Sequence, residues 1–490
     1  MYDVIVIGAG NAGLCAALAA AESVKKILVL ERAPEEESGG NSRFTAGLFR
    51  LVYHGPQDLK ALIPDLSAEE IANTDFGTYT EEQFLDDMAR LTEYRCDPDL
   101  TEILVKESLP TAKWMREKGV RFTAAWGRQA FRIGGRFKFW GGLTVEAVGG
   151  GPGLVDAETQ LARKAGIEIW YGARAVSLLA DDDGVQGVVV RKNKKTLEVK
   201  SRSVVLAAGG FQANTEWRTR YLGPGWELAK VRGTRFNTGD AIRMALDIGA
   251  AAHGNWSGCH AVAWDRNAPQ TGDLAVGDGF QKHSYPWGVY LNAEGRRFVD
   301  EGADFRNYTY AKYGRVILQQ PRQFAWQIFD AKVKQQLRDE YRIRQVTKVA
   351  GNTLEELVAK LEDTDRKAAL ETLRKYNAAV RTDIPFDPNV KDGRRTEGLE
   401  VNKSNWANTL DTPPFEAYAV TCGITFSFGG LKINTGAQVL SADGEPIPGL
   451  YAAGELVGGI FWFNYPGGSG LTNGAVFGRI AGRSAAACMR

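Results

Sequence analysis

Gly8, Gly10 and Gly13 form G-x-G-x-x-G, and a carboxylate, Glu31, follows about twenty residues later. The first glycine permits a tight turn, the second lets backbone approach a pyrophosphate, and the third admits close helix–strand packing. Glu31 stands where a carboxylate can accept ribose hydroxyls. This is the chemistry of dinucleotide binding, and by itself it suits NAD or FAD. A second glycine-rich turn, Gly39-Gly40-Asn41-Ser42, lies close behind the acid, with Gly47 after it. A second set of backbone donors suits a longer dinucleotide whose far end must be held. Elsewhere Arg132, Arg136 and Lys138 could pair with carboxylates. Tyr308, Tyr310 and Tyr313 could act as phenolic acids or bases.

The elements that must position these groups are legible nearby. DVIVI before Gly8 reads as a buried parallel strand, LCAALAAA as a small-residue helix that can pack close to a sheet, and KILVLE as the next strand. The helix start points free N–H groups at the pyrophosphate. Strand, glycines, helix, strand and acid in one βαβ order make the dinucleotide reading specific. With 490 residues, two domains are expected. Lys+Arg 60 against Asp+Glu 59 gives no reason to expect nucleic acid as a partner. No apolar run is long enough to span a membrane, no export signal precedes the first strand, and a cytoplasmic location is expected. The five cysteines (15, 96, 259, 422 and 488) include no C-x-x-C, so neither a zinc site nor an iron–sulfur cluster is expected, and the metal expectation is none.

Residues 51 to 130 read as mostly helical, with capping boxes at Ser67/Glu70 and Thr80/Gln83 and a helix stopped by Gly119. RIGGRFKFWGGLTVEAVGGGPG, from Arg132 to Gly153, is either a turn-rich hairpin with solvated charges or a loop lining a substrate cavity. A helix and strand then repeat the βαβ rhythm, and SVVLAAGGF brings Ala208, Gly209 and Gly210 out of an apolar strand. Thr238-Gly239-Asp240 starts a helix. The composition then shifts toward Trp, Tyr and charge, with a strand pair expected around WGVYLNAEGRRFVDE and helices at NTLEELVAKLED and DRKAALETLRKYNAAV. This gives domains 1–255, 256–421 and 422–490, the last returning to the first.

Together GGNSRF, LAAGGF, GITFSFGGLKIN and IPGLYAAGELVGG…GGSGL…FGRIAG resemble the fumarate reductase/succinate dehydrogenase flavoprotein superfamily over essentially the whole chain. The resemblance implies an α/β fold: a Rossmann-like FAD-binding domain of the GR2 type with an inserted α+β capping domain. It implies FAD held by Gly8, Gly10, Asn11, Ala12, Gly13, Glu31, Arg32, Gly39, Gly40, Asn41, Ser42 and Gly47. It extends the set to Ala175, Val176, Ala208, Gly209, Gly210, Thr238, Gly239, Asp240, Gly454, Glu455, Ser469, Gly470, Leu471 and Thr472. Respiratory members carry a flavin-linking histidine near the second turn; Arg43 and Phe44 stand there, so non-covalent FAD is expected.

Two departures bear on the substrate. Where the superfamily has HHTMGG this chain has TFSFGG, with Thr425 and Phe426 in place of imidazoles, and its N-R-x-G-G is replaced by Asn464-Tyr465-Pro466-Gly467-Gly468. The combination GGNSRFTAG, SGCHAVAWD and VDEGADFRNYTYAKYGR looks most like the tricarballylate dehydrogenase branch. That likeness implies oxidation of tricarballylate to aconitate, with electrons passed to a separate iron–sulfur membrane partner. It gives Arg306, His260 and Tyr465 as catalytic candidates and Arg132, Arg136 and Tyr308 as further contacts for a small carboxylate substrate. Two alternatives stand: a 3-ketosteroid Δ1-dehydrogenase-like enzyme in which Tyr465 polarises a ketone, and a non-catalytic FAD electron-transfer subunit.

Overall fold

The computed structural model describes residues 1–139 and 142–488; Trp140 and Gly141, inside the cation-rich stretch, lie outside the described residues. The chain divides into two compact units, one comprising 1–223, 233–259 and 426–490, the other 224–232 and 260–425.

In the first unit, Tyr2–Ile7 is the central strand of a parallel core. It pairs with Ile27–Leu30 on one side and Lys195–Leu206 on the other. Glu168–Trp170 extends the sheet beyond Ile27–Leu30, and Pro446–Ala452 extends it beyond Lys195–Leu206, so residues at the two ends of the chain share one sheet. Val4, Ile5 and Val6 are fully buried. The absence of polar alternation in this strand follows from cover on both faces, and each such side chain contributes roughly 1.5–3 kcal/mol. The strands Arg174–Asp181 and Gly184–Lys192 add an antiparallel meander.

The helix Asn11–Ala20 packs against the closing helix Ser469–Ala487 through small residues. A Cβ at Gly478 would lie 2.4 Å from the Ala12 carbonyl oxygen, and one at Gly482 2.1 Å from that of Ala16. Both capping boxes form as expected, and the helix Pro98–Lys118 ends at Gly119 with φ +123°.

In the second unit, Val289–Asn292, Phe324–Phe329 and part of Phe415–Leu431 form an antiparallel sheet, joined by Lys348–Gly351. Leu357, Leu373 and Tyr376 cover it together with Leu291, Trp326 and Ala417. Two expectations are corrected here. RRFVD forms no strand: after the turn at Gly295, Val289–Asn292 pairs with Phe324–Phe329 instead. The reason is the buried Arg297–Glu301 ion pair, whose carboxylate also accepts the Tyr290 N–H at 2.8 Å and pins the segment as a loop. The helix expected across NTLEELVAKLED is confined to Leu354–Ala359, while Arg366–Ala379 forms at full length. Among the described residues no helix is long and apolar enough to cross a membrane, and no group of His, Cys, Asp or Glu is arranged to hold a metal.

Candidate active site

In the first unit the glycine turn is shaped by contact. Gly8 has φ +107° and a Cβ there would lie 2.4 Å from the Ala207 carbonyl oxygen; one at Gly13 would lie 2.0 Å from that of Gly8. Neither position admits a side chain. Glu31 is buried and accepts the N–H groups of Ala9 at 2.9 Å and Ala33 at 2.8 Å, while burial raises its carboxyl above the usual range. Ser42 Oγ accepts the Asn11 N–H at 3.1 Å, and Asn41 Oδ1 accepts that of Thr234 at 2.9 Å. Asn11 Nδ2 donates to the Leu471 carbonyl at 2.9 Å, tying the start of the first helix to that of the last.

Arg32 reaches Thr238 and Asp240, and Arg174, next to Ala175 and Val176, clamps Asp240 at 2.7 Å. The Gly239 N–H donates to Gly210 at 3.0 Å. Glu455 gathers the Ser427 N–H at 3.0 Å, Gln212 Nε2 at 3.3 Å and Asn237 Nδ2 at 3.2 Å; burial pushes its carboxyl up to about 7. Thus segments around 8–13, 31–47, 174–176, 208–210, 234–240, 454–455 and 469–472 are drawn into one network.

FAD fits this network. A Cβ at Gly40 (φ +56°) would meet nothing within 4 Å, so open space borders the second turn. The buried Oδ1 of Asn473, in the first turns of the last helix, has no hydrogen-bond partner among the described residues. Both are what a turn and a helix start built around a bound polar group require.

Tyr465 is buried in an aromatic box with Phe426 and Phe461, ring centroids 5.1 and 5.4 Å away. A Cβ at Gly470 would lie 3.7 Å from Phe426 and 3.8 Å from Tyr465, so the box borders the first turn of the closing helix. The Tyr465-Pro466-Gly467-Gly468 turn is strapped by Arg50, a fully buried arginine whose Nε donates to the Gly467 carbonyl at 2.8 Å. Arg132 and Arg136 stand exposed on the hairpin of Ala130–Ile133 and Arg136–Phe139. Arg132 lies over Phe137, and Arg136 donates to the Ala72 carbonyl at 3.0 Å.

The second unit assembles a cation and imidazole cluster. Arg306 opens the helix Arg306–Leu318, and Tyr310 lies one turn on, along the same face. Tyr308 falls on the other side of that helix by its period. The Tyr310 ring is met edge-on by two buried imidazoles, His260 at 5.0 Å and His283 at 4.9 Å. Arg232 grips Asp278 through Nε and Nη2 at 3.0 and 2.6 Å and donates to Thr425 Oγ1 at 3.2 Å. Arg338 pairs with Glu340 at 3.0 Å. Desolvation, then the Arg338 charge, pushes Arg306 down to about 9, which leaves it cationic at neutral pH. Burial, reinforced by Arg232, drives both imidazoles well below their ordinary value, so both are neutral at pH 7. Three guanidiniums and two carboxylates leave one positive charge beside two neutral imidazoles. Such a cluster can bind an anion.

The sequence singles out Arg306, His260 and Tyr465 as candidates, and the structure sets Arg50, Arg232, His283 and Arg338 beside them, none of which the sequence singles out. For Arg232 and Arg338 no local signal existed. For His283 the only signal was its scarcity, since the chain has 4 histidines.

Comparison with known proteins bears on this arrangement. The family model described as FAD binding domain matches residues 3–471. The chain is 30% identical over 493 residues to a probable fumarate reductase, Ifc3, of Shewanella frigidimarina, covering 99% of this chain and 74% of that protein. Among solved structures it is similar to the open conformation of a flavocytochrome c3 fumarate reductase, with TM-score 0.74 and 28% identity over 99% of this chain and 78% of that one. It is also similar to the 3-ketosteroid Δ1-dehydrogenase of Sterolibacterium denitrificans, with TM-score 0.76 and full coverage of both chains; at 20% identity that likeness is one of fold. The chain belongs to the FAD binding domain family and is an FAD-dependent oxidoreductase of the fumarate reductase/succinate dehydrogenase flavoprotein superfamily, acting on carbon–carbon bonds.

Proposed function

We propose that this enzyme transfers hydrogen at a carbon–carbon bond next to a carboxylate, and that its reaction is the dehydrogenation of tricarballylate to aconitate. The observation that carries this reading is the second unit's cluster, in which Arg232, Arg306, Arg338 and His260 all act on His283 and both imidazoles meet the ring of Tyr310. FAD, when bound, supplies the two-electron acceptor. Arg306, cationic and able to form a planar two-point contact, holds the carboxylate next to the reacting bond. The positive charge beside it spreads the enolate-like charge that builds as the α proton leaves. His260, neutral in its buried setting, accepts that proton once the bound carboxylates, negative and close by, offset the burial and the Arg232 charge that hold its basicity down. Electrons then pass to a separate redox partner. We assign the reaction to the cytoplasm, where the five free cysteines stay reduced. FAD is bound without a covalent link, so acid precipitation leaves it in the supernatant.

One observation favours a second reading. Tyr465 in its box with Phe426 and Phe461 suits a ketone on an apolar body, polarised by the phenol. Anaerobic mixing of the oxidised holoenzyme with tricarballylate, succinate and a 3-ketosteroid separates the two. Bleaching of the flavin absorbance by tricarballylate supports the carboxylate reading. Bleaching by the ketosteroid alone replaces it with the ketone reading.

A further inference from the structure

His283 stands at a fixed place with an unfilled bond. Its Nε2 is buried and has no hydrogen-bond partner among the described residues, although its side chain is only 3% exposed. A buried unsatisfied nitrogen is costly unless something fills it. The backbone on both sides is held tightly. The Lys282 N–H donates to the Ala263 carbonyl at 3.0 Å, and the Lys282 carbonyl accepts Gln327 Nε2 at 2.9 Å. The Lys282 ammonium, itself fully buried, donates to the carbonyls of Gly279, Phe280 and Gln281, each at 3.2 Å. On the other side the Ser284 N–H donates to Tyr341 Oη at 2.9 Å, and Ser284 Oγ accepts the Arg338 N–H at 3.1 Å. The neighbours spend their polar groups fixing the loop while the imidazole between them keeps one nitrogen unused. That is how a preorganised ligand contact is built.

The surroundings say what the ligand is. Arg232, Arg306 and Arg338 all act electrostatically on His283. An anion is therefore the partner that this position favours, and a cation is disfavoured. His260 and His283 meet the ring of Tyr310 from two separate stretches of chain, and Arg306 stands one turn before Tyr310 on its own helix, which gives three anchoring points.

Resting on the carboxylate reading above, we propose that His283 is a substrate contact whose Nε2 donates to a carboxylate beyond those flanking the reacting bond. It thereby selects a tricarboxylate over a dicarboxylate.

The test is the affinity of oxidised holoenzyme for tricarballylate and for succinate, read from perturbation of the flavin spectrum, with FAD content checked for every variant. Gln places an amide near the position of Nε2, whereas Asn places it near that of Nδ1. His283→Asn should weaken tricarballylate binding about tenfold or more, as loss of one buried hydrogen bond to a charged group requires. His283→Gln should retain binding within about threefold on the same ground. Succinate binding should change little in either, so selectivity collapses in His283→Asn alone. Equal tricarballylate affinity in wild type, His283→Gln and His283→Asn overturns the proposal while leaving the carboxylate reading intact. Equal weakening of both substrates in both variants also overturns it, because that is the mark of a merely structural residue. Wild-type protein that binds neither carboxylate overturns the carboxylate reading, and this proposal with it.

Discussion

The two units solve recognition in opposite ways. The first shapes a dinucleotide site largely from backbone: Gly8, Gly13 and Gly40 remove side chains, and helix starts supply N–H groups. The second builds its cluster from side chains delivered by separate stretches, with Arg232, His260, His283, Arg306 and Arg338 spread over a hundred residues. A backbone site tolerates only glycine at set intervals, so its spacing is written locally. A side-chain site needs only that the fold bring five groups together, and its members can come from anywhere. On the function proposed above, substrate choice can therefore change in the second unit without disturbing the cofactor in the first.

If that division holds, damage to the first unit removes cofactor and activity together. Gly13→Ala puts a Cβ 2.0 Å from the Gly8 carbonyl oxygen, which nothing flexible can relieve. The variant should purify without FAD and without turnover, measured by flavin-to-protein ratio. A variant that retains full flavin content would break the comparison at its first term.

Damage to the second unit should cost stability while the cofactor stays. Arg232→Met removes the guanidinium that balances the charge of Asp278 in a buried ion pair. A loss of about 3–5 kcal/mol is expected for such a break. Urea unfolding followed by tryptophan fluorescence would measure it, and the native variant should still carry FAD. An unchanged midpoint would mean that the pair is not structural.

The smallest effect concerns pH. His260 and His283 are held below the ordinary imidazole value by burial, then by Arg232. Below about pH 6.5 the unfolded chain takes up protons that the folded chain refuses. Their contribution is therefore complete above that pH and is lost as pH falls, by about 1.4 kcal/mol per pH unit for each imidazole. Unfolding midpoints between pH 7 and pH 5 should fall less steeply in His260→Gln and His283→Gln than in wild type. Parallel curves would show that these imidazoles are not held neutral.

What could be read from the sequence follows the same division. The βαβ unit, both capping boxes and the closing helix were legible because each rests on residues three to twenty apart. Contacts such as Asn11 to Leu471 could be expected only through resemblance, since 460 residues separate the partners. RRFVD misled because its β-like composition is overruled by the Arg297–Glu301 pair, whose burial depends on tertiary packing. Arg132 and Arg136, singled out for charge density, stand exposed on a hairpin, where cations need no anionic partner. Arg50, buried and strapping the Tyr465 turn, gave no local sign at all. Type and density of charge are visible in a sequence; burial of that charge is not.

The central claim is that the second unit's cations, and not the phenol of the aromatic box, hold the reacting substrate. The direct measurement is the rate at which tricarballylate bleaches the flavin in wild type, Arg306→Lys and Tyr465→Phe, each loaded with FAD and mixed anaerobically. Lysine keeps the charge but loses the planar fork, so Arg306→Lys should be slower by about tenfold or more, a loss of roughly 1.4 kcal/mol. Tyr465→Phe should stay within about tenfold of wild type, since its hydroxyl is one polar contact among several. Normal bleaching in Arg306→Lys with a loss of about a hundredfold in Tyr465→Phe would contradict the account and return the reaction to a ketone.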